Sequence, residues 1–176
     1  MADQKVKINR APVLTLWAAV VAERLGFDPS EALTLGKAVA GLNAQSKGKR
    51  LGIFEPGVEQ EKDEKPRPRH LGEEFLIQIL GRAVPVVHTE DGVRAVIKGR
   101  PANPPSIQRY LERKFSSNLP EVRQAMETLA ASYTPAELAP KAYALYEKFR
   151  PEIPEGVKGW GAAGELDLDA IRSMAK

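Results

Sequence analysis

The chain has 176 residues, 43% of them hydrophobic and 28% charged, so it can bury the core of one domain or of two small ones and is not disordered throughout. It contains no cysteine, which excludes disulfides, thiolate-bound zinc, iron–sulfur clusters and a thiol nucleophile. The net charge of +3 is small but unevenly spread, since residues 1–50 hold eight Lys/Arg against four acids.

No stretch of the sequence predicts a membrane anchor or a secretory signal. The longest largely apolar run, from Val13 to Ala22, is about half of the roughly 20 residues that a transmembrane helix needs. The amino terminus lacks the ordered charged region, apolar core and small-residue cleavage site of a signal peptide. We therefore expect a cytoplasmic protein without a membrane partner.

Two helices are predicted at the start of the chain. The first runs from about Pro12 to Leu25, with Asn9 upstream to cap it. Its apolar residues extend beyond one face, so it should pack against the C-terminal part of the chain or against a second copy in a homodimer. Gly26 ends this helix, and Asp28–Glu31 supply an N-cap, a first-turn proline and a capping-box glutamate for a second helix that runs to about Gln45.

The composition changes sharply between residues 55 and 70. This stretch is rich in Glu, Lys, Asp and Pro and contains a single aliphatic residue, Val58. It is predicted to be a charged linker or a long loop, which separates an N-terminal helical pair at 1–54 from a hairpin and helical unit at 71–176.

The next apolar runs differ in their predicted structure. Phe75–Leu80 fits helix or strand, and the preceding Glu73 and Glu74 favour a helix. Two β-branched runs, Val84–Val87 and Val93–Lys98, flank the turn-forming residues Thr89–Gly92 and predict a short hairpin.

Three amphipathic helices are predicted after Pro105, followed by a short terminal helix capped by Asp167 or Asp169. The start of the third is marked by a capping box at Thr134 and Glu137. The expected fold is therefore mainly α-helical, an α+β arrangement with one short β-hairpin, a helix-turn-helix-like pair at the N-terminus and a helical unit at the C-terminus.

The first helical pair has the residue spacing of a helix-turn-helix unit. Such units need a small residue where the helices touch, a turn glycine four residues later, and apolar residues beside the glycine and on the second helix. The matching residues are Ala22, Leu25, Gly26, Phe27, Ala32 and Leu35. The segment resembles the helix-turn-helix superfamily, which implies DNA binding by the helix after Gly26. That helix presents no Arg, Asn or Gln to read base edges, and an ordinary αα-hairpin with a glycine turn is the alternative.

Basic residues extend the possible contact with DNA. Alternation along the strand after Gly92 places Arg94, Lys98 and, if the strand persists, Arg100 on one face, which is either a phosphate-binding hairpin or a solvated strand face. The predicted nucleic-acid-binding residues are Ser30, Thr34, Lys37, Lys47, Lys49, Arg50, Arg94 and Lys98. The sequence thus predicts a nucleic-acid-associated, regulatory, helix-turn-helix-like protein that binds DNA largely through phosphates. The alternative is a non-catalytic protein–protein interaction module.

No residue pattern predicts catalysis, a metal site or a cofactor. His88 lies beside Glu90 and Asp91 in the hairpin turn, without a companion nucleophile or a second set of ligands. The alternating acidic residues are expected to stabilise a helix N-terminus; they are Glu165, Asp167 and Asp169. Gly159–Gly164 have the glycine spacing of a dinucleotide-binding turn, but prolines precede them instead of a buried strand. The protein is therefore not expected to be an enzyme.

Two further stretches, Ile8–Trp17 and Gly156–Gly161, resemble a family of uncharacterised bacterial proteins of about this length. The resemblance covers nearly the whole chain and implies a bacterial origin. It implies no activity, ligand or site.

Overall fold

A computed structural model describes residues 5–50, 74–97, 99–151 and 163–175. For Lys5, residues 43–50 and Ala163 the description covers the backbone alone. The predicted linker at 55–70, Lys98 and most of the glycine-rich stretch before Ala163 lie outside the described residues.

The described chain combines helices with two antiparallel sheets. The helices are α1 (Arg10–Arg24), α2 (Pro29–Arg50), α3 (Pro104–Phe115), α4 (Leu119–Ala131), α5 (Pro135–Phe149) and α6 (Leu168–Met174). The strands are β1 (Lys5–Asn9), β2 (Glu74–Ile79), β3 (Arg82–Thr89), β4 (Gly92–Ile97), β5 (Arg100–Pro101) and β6 (Ala163–Asp167). The fold is α+β, and its strands exceed the single hairpin that the sequence predicts.

The larger sheet contains the predicted hairpin. Its strand order is β2-β3-β4-β5, and Thr89 pairs with Gly92 at the turn between β3 and β4. The helix predicted over Phe75–Leu80 is wrong, because this run forms β2 and pairs with β3. Phe75, Ile77 and Ile79 face the core, while Leu76 is exposed on the other face. An apolar residue at the exposed position hides the alternation that would have indicated a strand.

A second, two-stranded sheet was not predicted. β1 pairs antiparallel with β6, with Lys5 opposite Asp167 and Asn9 opposite Ala163, so the two ends of the described chain are joined. Val6, Ile8 and Leu166 point into the protein and are buried. The described residues of both predicted units contribute to a single hydrophobic core.

Several helix starts have the caps that the sequence predicts. The Asp28 carboxylate accepts a hydrogen bond from the Glu31 amide at 2.8 Å, and the Glu31 carboxylate accepts one from the Asp28 amide at 3.2 Å. A capping box is also present at Thr134, and Asp167 caps α6. Asn9 occupies the N-cap position of α1 but makes no side-chain cap there. These caps form between residues close in sequence, which makes them readable without a structure.

The apolar residues on all sides of α1 are buried by the described chain itself, since every residue from Pro12 to Ala22 is buried. The indole nitrogen of Trp17 donates a hydrogen bond to the Ala142 carbonyl at 2.9 Å, and the Trp17 ring meets Phe149 edge to face at 5.3 Å. Of the two predicted packing partners for α1, the C-terminal helices are the one observed.

Helices α1 and α2 approach each other closely at Gly36. A Cβ atom added at Gly36 would lie 2.3 Å from the Thr15 carbonyl oxygen and 3.0 Å from the Ala19 amide nitrogen. The backbones of α1 and α2 are therefore in direct contact at positions that lie several residues from the turn on both helices.

Candidate nucleic-acid interface

Thr34, predicted to face DNA, lies inside the protein. It is fully buried, its hydroxyl donates to the Glu31 carbonyl at 2.9 Å, and the hydroxyl accepts from the Ala95 amide at 3.0 Å. The second carboxylate oxygen of Glu31 accepts from the Val93 amide at 3.0 Å. Two side chains from the first turns of α2 thus satisfy amides along the edge of β4, and the outward orientation expected for Thr34 is wrong.

Replacing Thr34 by valine should destabilise the protein by about 1–3 kcal/mol, because the shape is kept while the buried Ala95 amide loses its acceptor. Thr34→Ser keeps the hydroxyl and should cost less than Thr34→Val. Urea unfolding followed by circular dichroism measures both free energies. Equal stability of Thr34→Val and the unchanged protein would contradict the role of the hydroxyl.

The other predicted residues divide between the two ends of α2. Ser30 is half-buried in the first turn, and the Arg94 guanidinium lies at the same end, where it donates to the carbonyls of Val93 and Asp91 at 2.9 and 3.2 Å. The predicted residues at the far end of α2 are Lys47, Lys49 and Arg50. The two groups are about 25 Å apart along the helix axis, so they do not form one compact site.

Lys37 lies between these ends and joins α2 to α3. Its ammonium group lies 3.7 Å from the centre of the Tyr110 ring, which is the geometry of a cation–π interaction. Burial raises the pKa of Tyr110, and the positive charge of Arg113 partly offsets that rise. Lys37 and Arg113 therefore both lie close to Tyr110.

Other basic residues of α3 lie on the same side of that helix as Tyr110. With about 100° per residue, Arg109, Arg113 and Lys114 all lie within about 100° of Tyr110 around the helix. Glu112 lies about 160° from Tyr110 and borders this side next to Arg109. All three basic side chains are exposed, and Glu112 accepts a hydrogen bond from Gln108 at 3.1 Å. We call Lys37, Arg109, Arg113 and Lys114 the α2–α3 basic face.

The contribution of α3 to this face was not predicted from the sequence. The spacing of Arg109, Arg113 and Lys114 is visible in the sequence and indicates a basic helix surface. What the sequence does not show is that α3 packs beside α2, because the contact of Lys37 with Tyr110 joins residues far apart in the chain.

His88 of the hairpin and Asp167 before α6 have structural partners. The His88 ring stacks on Phe75 with centroids 5.0 Å apart, and the Asp167 carboxylate accepts from the Asp169 amide at 3.0 Å. Among the described residues, no three His, Asp or Glu side chains are grouped so that they could hold a metal ion. In the same part of the chain, every helix is too short or too polar to cross a bilayer.

Comparison of the chain with models of protein families, with curated proteins and with solved structures finds no match. The resemblances to the helix-turn-helix superfamily and to the uncharacterised bacterial family stay predictions.

Proposed function

We propose that the protein binds nucleic acid through the phosphate backbone, using the α2–α3 basic face together with Lys47, Lys49 and Arg50. The observation that carries this proposal is the position of Lys37 over Tyr110 with Arg113 close by, which brings the positive charges of α2 and α3 onto one face. Lysine and arginine contacts to phosphates release counterions and supply affinity that does not depend on sequence.

The proposed mode of binding differs from insertion of a recognition helix into the major groove. The amino-terminal half of α2 packs against α1 at Gly36, against β4 through Thr34, and against α3 through Lys37. That half is therefore not free to reach base edges. The expected complex has low sequence preference and an affinity that is mainly electrostatic.

A charge-reversal experiment tests which face binds. The variant Arg109→Glu/Arg113→Glu should weaken binding to a random-sequence DNA duplex at low salt by about tenfold or more, because two phosphate contacts become repulsive. Fluorescence anisotropy with a labelled duplex measures the affinity.

The matched control reverses two exposed lysines on another helix, as Lys141→Glu/Lys148→Glu on α5. Both double variants lower the net charge by four, from +3 to −1. The control should keep most of the affinity. Equal losses in the two variants would show that only net charge matters, and no loss in the α3 variant would contradict the proposed face.

The alternative, a non-catalytic interaction module, is favoured by a different surface. On the outer face of the larger sheet, Leu76 pairs with Pro85 and Val96 pairs with Pro101, and these residues form an apolar row across the strands. Leu76 is 63% exposed, which is unusual for a large apolar side chain in the middle of a strand.

A further inference from the structure

Strand β2 has one backbone edge with no strand partner among the described residues. The amides of Val93 and Ala95 point away from β3, since they bind Glu31 and Thr34, so the intervening residues of β4 are the ones that bond to β3. The same alternation continues from β4 through β3 to β2. It shows that Phe75, Ile77 and Ile79 are the residues of β2 that form hydrogen-bonded pairs with β3. The N–H and C=O groups of Glu74, Leu76 and Gln78 therefore point to the open edge.

The opposite side of the sheet is protected from pairing with another chain. Side chains of α2 cover the edge of β4, and β5 is only two residues long and contains a proline. Short strands, prolines and covered edges are the usual means by which proteins prevent unwanted strand pairing. β2 has six residues, and at its centre is an exposed leucine instead of a charged or bulged residue. Among the described residues, the β2 edge lacks each of these protections.

We propose that the partner is β2 of a second copy of this chain, paired antiparallel about a two-fold axis at Leu76. In this register Leu76 faces Leu76 of the second copy, and Glu74 faces Gln78 of the second copy. Antiparallel pairing needs the edge-directed residues of one strand to face those of the other, which this register satisfies.

The side chains on both faces of the sheet favour this register. On the outer face, the two exposed leucines cover each other, and the Glu74 carboxylate meets an amide donor instead of a second carboxylate. On the inner face, Phe75 comes opposite Ile77 of the second copy, and both are apolar residues that are only half-buried in a single chain. Moving the axis to Ile77 would place Leu76 opposite Gln78 and leave Glu74 outside the paired residues.

The absence of native cysteine makes the register directly testable by disulfide formation. In a hydrogen-bonded pair the two Cα atoms are about 5.5 Å apart, which a disulfide can span. Leu76→Cys should therefore give a covalent dimer under oxidised glutathione, seen on a non-reducing gel. Gln78→Cys alone should not, because the two Gln78 positions are about 13 Å apart in this register. A mixture of Glu74→Cys and Gln78→Cys chains should cross-link.

Light scattering on the unmodified protein completes the test. At tens of micromolar we expect twice the 19.3 kDa mass of one chain, and Leu76→Lys should give the mass of one chain with an unchanged circular dichroism spectrum. A single-chain mass for the unmodified protein would overturn the proposal. The β2 edge would then be covered by another part of the chain or by another protein. Cross-linking of Gln78→Cys as readily as Leu76→Cys would overturn the register. None of these outcomes depends on nucleic-acid binding.

Discussion

Replacing Gly36 by alanine is expected to destabilise the protein by about 2 kcal/mol or more, although alanine is the better helix former. The added Cβ would lie 2.3 Å from the Thr15 carbonyl oxygen, so relief requires α1 and α2 to move apart. Both helices are held by other contacts, including the hydrogen bond of Thr34 to β4 and that of Trp17 to α5. The loss should appear as a lower urea midpoint with little change in slope.

Gly41 in the same helix provides the matched control. A Cβ added there meets nothing within 4 Å, and the residue is exposed. Gly41→Ala should therefore raise the free energy of unfolding by about 0.5–1 kcal/mol through helix propensity alone. Similar effects of the two substitutions would contradict the close approach of α1 and α2.

Replacing Trp17 by alanine should cost about 3–5 kcal/mol, the largest single loss expected from the core. The side chain is fully buried, packs against Phe149, and donates to the Ala142 carbonyl. Its removal leaves a cavity where α1 meets α5, and both helices must then relax around it. Thermal or urea unfolding measures the loss.

Trp17→Phe separates packing from hydrogen bonding. Phenylalanine keeps an aromatic ring beside Phe149 but cannot donate to Ala142, so we expect a smaller loss of about 1–2 kcal/mol. A loss as large as that of Trp17→Ala would mean that ring packing contributes little. A negligible loss in both variants would contradict the packing of α1 against α5.

The parts of the fold that the sequence predicts are those that depend on neighbouring residues. The capping boxes at Asp28 and Thr134 join residues three positions apart, and the β3–β4 hairpin is defined by its turn and its two β-branched flanks. Each of these signals is complete within a few residues. No knowledge of the rest of the chain is needed to interpret it.

The parts that the sequence does not predict depend on distant residues. Val6 and Ile8 alternate with lysines as a strand should, but their partner β6 lies at the other end of the chain. The apolar Leu76 hides the alternation of β2, and the acidic Glu73 and Glu74 before this run favoured a helix. Threonine is a polar residue that usually lies at the surface. Only the packing of β4 against α2 shows that the Thr34 hydroxyl accepts a hydrogen bond inside the protein.

The candidate interface shows the same division. Lys47, Lys49 and Arg50 are evident as a basic cluster, whereas the joining of Lys37 with the basic side of α3 requires the tertiary structure. The alternation of the strand after Gly92 predicts Arg94 as part of a basic hairpin that extends the contact of this cluster with DNA. Arg94 lies at the other end of α2, where its guanidinium binds the carbonyls of its own hairpin.

Salt dependence of DNA binding tests the proposed function most directly. The affinity of the unmodified protein and of Lys47→Ala/Lys49→Ala/Arg50→Ala for a random-sequence duplex would be measured by anisotropy at several salt concentrations. We expect the logarithm of the binding constant to fall linearly with the logarithm of salt concentration. In the triple variant the slope should be less steep by the amount that corresponds to about three fewer released counterions. The sequence preference should be nearly unchanged. The absence of a complex at low salt, or identical slopes for the two proteins, would contradict binding through these residues.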